Sequence, residues 1–225
     1  MIAISFDEKV KIGLQYALET LHGCSPFGLE RIRRLRFYTP DERPALETEL
    51  YNVQALAVHN EELKDTFTRL MTLLCQIKDI RNSLRRCQNG EVPDHVELFE
   101  IKGYLQRLRD MRPLLDTINE TAHLKDVALH DPAAPLDILD PNHTGSRGFY
   151  IPDSATPKLK EIRTAKKDIE ERLFHAQTDA EKDDLRLQRT RICAEEESEE
   201  MKVRRTMGAQ LAPMVDDLLA DADTL

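Results

Sequence analysis

Apolar positions recur along most of the chain at intervals of three and four, the spacing that lines one face of an α-helix. Ser5-Phe6-Asp7-Glu8 forms a capping box ahead of Val10, Leu14, Leu18 and Leu21, which predicts a helix that Gly23 stops. Ser25-Pro26 restarts the chain. Leu29, Ile32 and Leu35 then give a short helix a narrow stripe among Arg31, Arg33, Arg34 and Arg36. Thr39-Pro40-Asp41-Glu42 combines an N-cap, a first-turn proline and a closing glutamate before Leu46, Leu50, Val53 and Ala57. Asn60 and Glu61-Glu62 mark a break. Leu63, Phe67, Leu70, Leu74, Ile77, Ile80 and Leu84 predict a helix running to the Asn89-Gly90 turn. Asp94 caps the next helix, which carries Leu98, Ile101, Leu105 and Leu108 and is expected to be interrupted at Pro113. Leu114, Leu115 and Ile118 predict a shorter helix after it.

The pattern changes near His130. Pro132, Pro135, Pro141 and Pro152 exclude one continuous helix. Leu136-Asp137-Ile138-Leu139 and Gly148-Phe149-Tyr150-Ile151 flank Pro141-Asn142-His143-Thr144-Gly145, which predicts two short strands and a turn. A lone hairpin is marginal, so it is expected to lean on the helices. Thr156-Pro157 opens the last section, with Leu159, Ile162, Ile169 and Leu173 on one stripe. A break is expected near Thr178-Asp179, with Thr178 as the new cap, before Leu185, Ile192, Val203, Met207, Leu211, Val215 and Leu218. Unbroken from Pro157 to Leu219, such a helix would be about 95 Å long at 1.5 Å per residue, too long for a compact globule of this size. The run Glu195-Glu196-Glu197-Ser198-Glu199-Glu200 reads as a solvated helix face, and it covers the whole helix circumference. The stretch is therefore expected to project from the body or to touch it along a narrow seam.

These elements predict an all-α protein. A helical bundle core over 1–130 is followed by a Pro-rich connector with a short β-hairpin over 131–156. A long protruding C-terminal lever helix over 157–225, broken near 178 and 213, completes it. The 225 residues fit one large domain or two small ones, and 40 % apolar content is enough for a core. Eight glycines and no tryptophan argue against a sandwich or barrel.

Charge narrows the functional classes. A net charge of −9 argues against a dedicated nucleic-acid module, because phosphate binding runs on Lys and Arg. It leaves room for a local basic patch, for which Arg204 and Arg205 are the weak candidates. Arg81, Arg85 and Arg86 read as a basic helix end complementing its dipole. Cys24, Cys75, Cys87 and Cys193 include no CxxC pair and read as reduced thiols of a cytoplasmic protein. No membrane span is expected. Phosphate-loop, dinucleotide, HExxH and GxSxG motifs are absent, so no catalytic, cofactor-binding or metal residue is assigned. Asn142 and His143 read as turn chemistry, and Phe99 and Tyr104 as core packing.

Several segments follow one another in a recognisable order: Phe27-Gly28-Leu29-Glu30-Arg31-Ile32-Arg33-Arg34-Leu35 with Glu47-Thr48-Glu49-Leu50, then Ile77-Lys78-Asp79-Ile80-Arg81-Asn82-Ser83-Leu84-Arg85-Arg86, then Phe99-Glu100-Ile101-Lys102. Leu139-Asp140 to Ile151, Lys158-Leu159-Lys160-Glu161-Ile162-Arg163, and Val203-Arg204-Arg205 to Pro213 continue it. This order resembles the core and lever region (domain III) of the MutS family of DNA mismatch-repair ATPases. The resemblance is closest to the divergent bacterial MutS-like branch. It implies an N-terminal piece of a longer protein, cut before the lever's returning helix and before an ATPase domain that binds ATP and magnesium. It further implies DNA engagement through the full-length protein, contact with that ATPase domain, and a homodimer at full length. On that reading this chain is not itself an enzyme, while its parent is a DNA-dependent ATPase. The alternative is a non-enzymatic helical scaffold or coiled-coil interaction protein, although the apolar spacing is not a strict heptad.

Overall fold

The computed structural model describes residues 5–33, 38–146 and 148–224. Leu35, Arg34 and Arg36 of the expected second stripe lie outside these. The described residues are 75 % helical and none lies in a strand, which establishes the all-α class. In chain order the helices are α1 (Phe6–Lys11), α2 (Leu14–Glu19), α3 (Pro26–Arg33), α4 (Arg43–Val58), α5 (Lys64–Leu74) and α6 (Arg81–Gln88). They continue as α7 (His95–Ala122), α8 (Ala133–Leu139), α9 (Pro157–His175), α10 (Asp179–Leu211) and α11 (Val215–Thr224). The chain divides into two compact units. Unit 1 holds Met1–Asn82, Gly103–Leu136 and Asp216–Leu225, and unit 2 holds Ser83–Lys102 and Asp137–Val215.

Unit 1 forms around the greater part of α7, whose Leu105, Leu108 and Met111 are fully buried. Leu63, Ile118 and Ala122 make a second cluster against Ala55, Leu56, Phe67, Leu70, Leu115 and Leu124. Polar ties fix what apolar packing leaves free. The Asn52 amide on α4 donates to the Lys125 carbonyl and accepts from the Lys125 N–H, both at 2.9 Å. Tyr104 donates its hydroxyl to the Leu218 carbonyl of α11 at 3.3 Å. Asp221, 1 % exposed, accepts from both the backbone N–H and the Nδ1 of His130, at 2.9 Å each.

Four expectations are corrected in this unit. Gly13 takes a left-handed φ of 75°, which splits the first helix into α1 and α2. The stretch from Leu63 to Leu84 breaks after Leu74, because Asp79 accepts from the Arg81 N–H at 3.1 Å and starts α6 afresh. Pro113 does not interrupt α7. Its missing donor lies on the exposed side of the helix, while Met111, Leu114 and Ile118 hold the buried side. On α4 the stripe Leu46-Leu50-Val53-Ala57 turns outward. Leu50 and Val53 are 59 % and 62 % exposed, while Asn52, Ala55 and Leu56 face the core.

Unit 2 carries Leu84, Cys87, Leu98, Ile101, Leu159, Leu185 and Leu211 as its buried apolar set. The expected β-hairpin does not form. Pro132 and Pro135 sit at the start of α8, where a missing N–H costs nothing, and Asp131 caps the Ala133 N–H at 3.1 Å. The Asp140 carboxylate then takes the Thr144 and Gly145 N–H groups at 3.1 and 2.9 Å, so those donors go to a side chain and not to a strand. Lys102, 3 % exposed, anchors this loop by donating to the Gly148 carbonyl at 3.2 Å. On α10, Gly208 meets Pro93: a β-carbon added there would stand 2.9 Å from the proline Cδ.

Two outcomes follow from this packing. In Gly208→Ala, a helix gain of about 1 kcal/mol is set against about 1–3 kcal/mol of overpacking on a rigid ring. The expected result is a lower urea midpoint, and a raised midpoint would show that Pro93 yields. For His130, the hydrogen bond to Asp221 raises its pKa above the ordinary 6.5 against a smaller opposing effect of burial. The stabilisation is complete below pH 6.5 and fades as pH rises through the raised folded value. Hydrogen exchange of α11 should therefore quicken relative to α7 across that window, and His130→Gln should abolish the difference.

Candidate functional site

The most concentrated chemistry among the described residues sits in unit 2, where α9 and α10 form an antiparallel pair. Their partners run in opposite directions: Thr156 with Glu199, Arg163 with Glu196, and Arg189 with Glu170. The chain reverses at 176–178, and Thr178 caps α10 by accepting the Glu181 N–H at 3.3 Å. The expected long lever is thus two helices folded on each other.

Leu159, Ile162 and Ile169 of α9 supply the apolar seam with Leu185 and Val203 of α10. Arg163 lies on the same buried face and is 8 % exposed. Its Nε donates to Glu196 at 2.9 Å and one terminal nitrogen to Glu200 at 2.7 Å. The other terminal nitrogen donates to the Ile151 carbonyl at 2.7 Å, to the Asp153 carboxylate and to the Tyr150 hydroxyl. The guanidinium also stands 4.6 Å from the centre of the Tyr150 ring. Lys166 bonds the second oxygen of Glu196 at 2.6 Å, and His95 lies 3.2 Å from Glu200. One layer further, Glu199, 7 % exposed, accepts from Lys202 at 3.0 Å and from Thr156 at 3.4 Å.

The electrostatics follow from this arrangement. Burial opposes the Arg163 charge, but hydrogen bonds to Asp153, Glu196 and Glu200 outweigh it and push the pKa up. Burial likewise opposes the Glu196 charge, and Lys166 and Arg163 bring its carboxyl below the usual range. The Arg163 hydrogen bond does the same, foremost, for Asp153. Arg163, Glu196 and Asp153 are thereby held ionised, which suits a structural lock and not proton transfer.

The residues singled out in the sequence do not converge on this cluster. Arg204 is half-buried and donates to the Pro93 carbonyl at 3.2 Å, while Arg205 is exposed. Arg81 binds Asp79 and Glu30, and Arg86 binds Glu91 and Glu97, so both make specific ion pairs and do more than complement a helix end. His143 is in an exposed turn at φ 49°, its N–H on the Asp140 carbonyl at 2.8 Å. Tyr104 is core, as expected; Phe99 is 42 % exposed. The acidic run is not a uniformly solvated face, since Glu196, Glu199 and Glu200 turn inward. Arg163 was missed as a site residue. Its signal was a charge in phase with Leu159 and Ile162, set opposite Glu196 once the chain is folded back at 178–179.

Unit 1 holds an open cleft of about 1080 Å³ lined in part by Phe27, Arg31, Glu49, Asn52, Arg81 and Lys125. Its Arg31 pairs with Glu49 at 3.1 Å and its Arg81 with Glu30, so charges of both signs cancel across it. Among the described residues no three His, Cys, Asp or Glu side chains are grouped to hold a metal ion. No described helix is long and apolar enough to cross a membrane. No protein-family model and no curated protein matches the chain.

Removing the guanidinium leaves Glu196, Glu200 and Asp153 facing one another, a change of the kind that costs about 3–5 kcal/mol at a buried pair. Arg163→Met should lower stability by about 3 kcal/mol, read from urea unfolding. Adding Glu196→Gln and Glu200→Gln should restore more than half of the loss. If the single variant is neutral, the lock carries no stability.

Proposed function

We propose that the chain is the core and lever portion of a MutS-like DNA mismatch-repair or DNA-structure-binding ATPase. It would couple DNA engagement mechanically to an ATPase domain outside this chain. The observation that carries the reading is the ion-locked α9–α10 pair, which occupies the stretch that the resemblance assigns to the lever. A lever must resist hinging, and a buried five-way-bonded arginine opposes sliding of one helix along the other in a way that apolar contact alone does not. In this reading the lever is a paired hairpin and not a single outgoing helix. ATP and magnesium would be held by the ATPase domain, the full-length protein would be a cytoplasmic homodimer, and the chain itself would perform no chemistry. Arg205 is the remaining weak candidate for a DNA contact, since Arg204 is spent on Pro93.

A second reading, a helical interaction scaffold, is favoured by one observation. The outward stripe of α4, with Leu50, Val53 and Val58 59–73 % exposed, is the kind of surface that a partner covers.

The test is made on the product of the complete reading frame. The expected result is ATP hydrolysis stimulated by DNA. In Arg163→Met, basal hydrolysis should persist while the stimulation falls several-fold, within the roughly 5–150-fold span of site-to-site coupling. A product without a phosphate-binding loop and without hydrolysis overturns the motor reading in favour of the scaffold. Undiminished stimulation in Arg163→Met overturns the lever role alone.

A further inference from the structure

The outward face of α4 has the spacing of a helix–helix seam. Leu46, Leu50, Val53 and Ala57 follow at intervals of four, three and four, so they share one stripe along a helix of 16 residues. Leu50, Val53 and Ala57 are exposed, and Leu46 is half-buried. The helix is not free to turn them inward, because buried Asn52 on its other side holds both backbone groups of Lys125. The other apolar surface of unit 1, Phe6, Val10, Ile12 and Tyr16, is spread over two helices of six residues each, and Gly13 separates them. It offers no continuous stripe.

The α4 stripe also carries opposite charges at its two ends. Arg43 opens the helix, exposed and one heptad before Leu50, so it stands on the stripe itself. Glu61, also exposed, lies in the turn just past Val58 at the other end. The acidic groups between are already paired within the chain, Glu47 with Arg43 at 2.7 Å and Glu49 with Arg31 at 3.1 Å. An apolar stripe with a cation at one end and an anion at the other is complementary to itself turned end for end. Laid in the same direction, two copies would set Arg43 on Arg43 and Glu61 on Glu61, with parallel helix dipoles. Reversed about a two-fold axis between residues 51 and 52, Leu50 faces Val53 of the second copy and Leu46 faces its Ala57. Arg43 then lies beside Asn60 and Glu61 of that copy, twice over by symmetry.

We propose that α4 is a self-association surface, on which a second copy of the chain packs its own α4 antiparallel. The inference rests on the scaffold reading above, in which a partner covers α4, and it names that partner. One helix face of this length makes a small contact, of the class below about 1,200 Å² in which complexes exchange readily. The dimer is therefore reversible, and its charged ends make it sensitive to salt.

The test is analytical ultracentrifugation of the whole chain in low salt, from about 10 to 500 µM, the range in which an interface this small dimerises. The expected result is a concentration-dependent monomer–dimer equilibrium. Leu50→Lys, a change at an exposed position, should be monomeric throughout with unchanged helical circular dichroism. Arg43→Glu or Glu61→Arg alone should weaken the dimer about tenfold, because each turns two attractive end pairs into two repulsive ones. Both changes suit the helix dipole, so α4 itself should stay folded. The double variant Arg43→Glu/Glu61→Arg reverses both ends together and should regain most of the affinity. A monomer at every concentration overturns the proposal, and leaves the scaffold reading to a partner other than a second copy. A dimer that survives Leu50→Lys is held by another face, such as that of α1 and α2, and overturns it too. A double variant no tighter than the single ones overturns the antiparallel arrangement.

Discussion

Arg163 is a charge that cannot be shed, since a guanidinium stays protonated at any pH a folded protein experiences. Held at 8 % exposure, it must find acceptors inside the structure. It finds Glu196 and Glu200 on α10 and Asp153, Tyr150 and Ile151 on the chain entering α9. Those bonds set the register of α10 on α9 and draw the 150–153 segment against the hairpin. The apolar seam of Leu159, Ile162, Leu185 and Val203 adds driving force but little direction, because burial of apolar area tolerates sliding by a turn. The ion cluster tolerates it less well: one turn of slip would cost Arg163 a carboxylate partner of the Glu196–Glu200 pair, while its bonds to Ile151 and Asp153 would stay. Such a cluster need not exceed a well-packed apolar replacement in stability. Its contribution is a single, stiff arrangement of the two helices.

Unit 1 is organised by the opposite means. Its centre is apolar, and polar side chains act singly where a loop or a terminal helix must be attached. Asn52 takes both backbone groups of Lys125, and Asp221 takes two donors from His130. These ties decide which face of α4 turns inward. Asn52 is worth two hydrogen bonds if it is buried against Lys125, so the helix rotates to satisfy it and leaves Leu50 and Val53 in solvent. A stripe that simple packing would have buried is thereby left exposed.

Local signals were legible in the chain. The boxes at Ser5 and Thr39, the Asp94 start, and the Thr156 and Thr178 caps all bond as their spacing implies, because each rests on residues three apart. What misled were features whose outcome depends on remote residues. Pro113 continues a helix because its exposed side can spare a hydrogen bond. The 136–151 segment reads as a hairpin until Asp140 captures its donors and Lys102, far back in the sequence, anchors the loop. The acidic run reads as solvated until Arg163 and Lys166 stand opposite it.

By itself, then, the sequence determined the helical class, most helix starts and the break near residue 178, since periodicity and capping act over a few residues of contiguous chain. Tertiary structure decided which way that break turns the chain, and so whether the last section extends or doubles back. It also decided which face of α4 is buried, and which of many charges become a cluster. These outcomes belong to pairings such as Arg163 with Glu196, or Asn52 with Lys125, whose members are separated by tens of residues. The energy of such a pairing exists only once the backbone has brought both partners together and water has been excluded from between them.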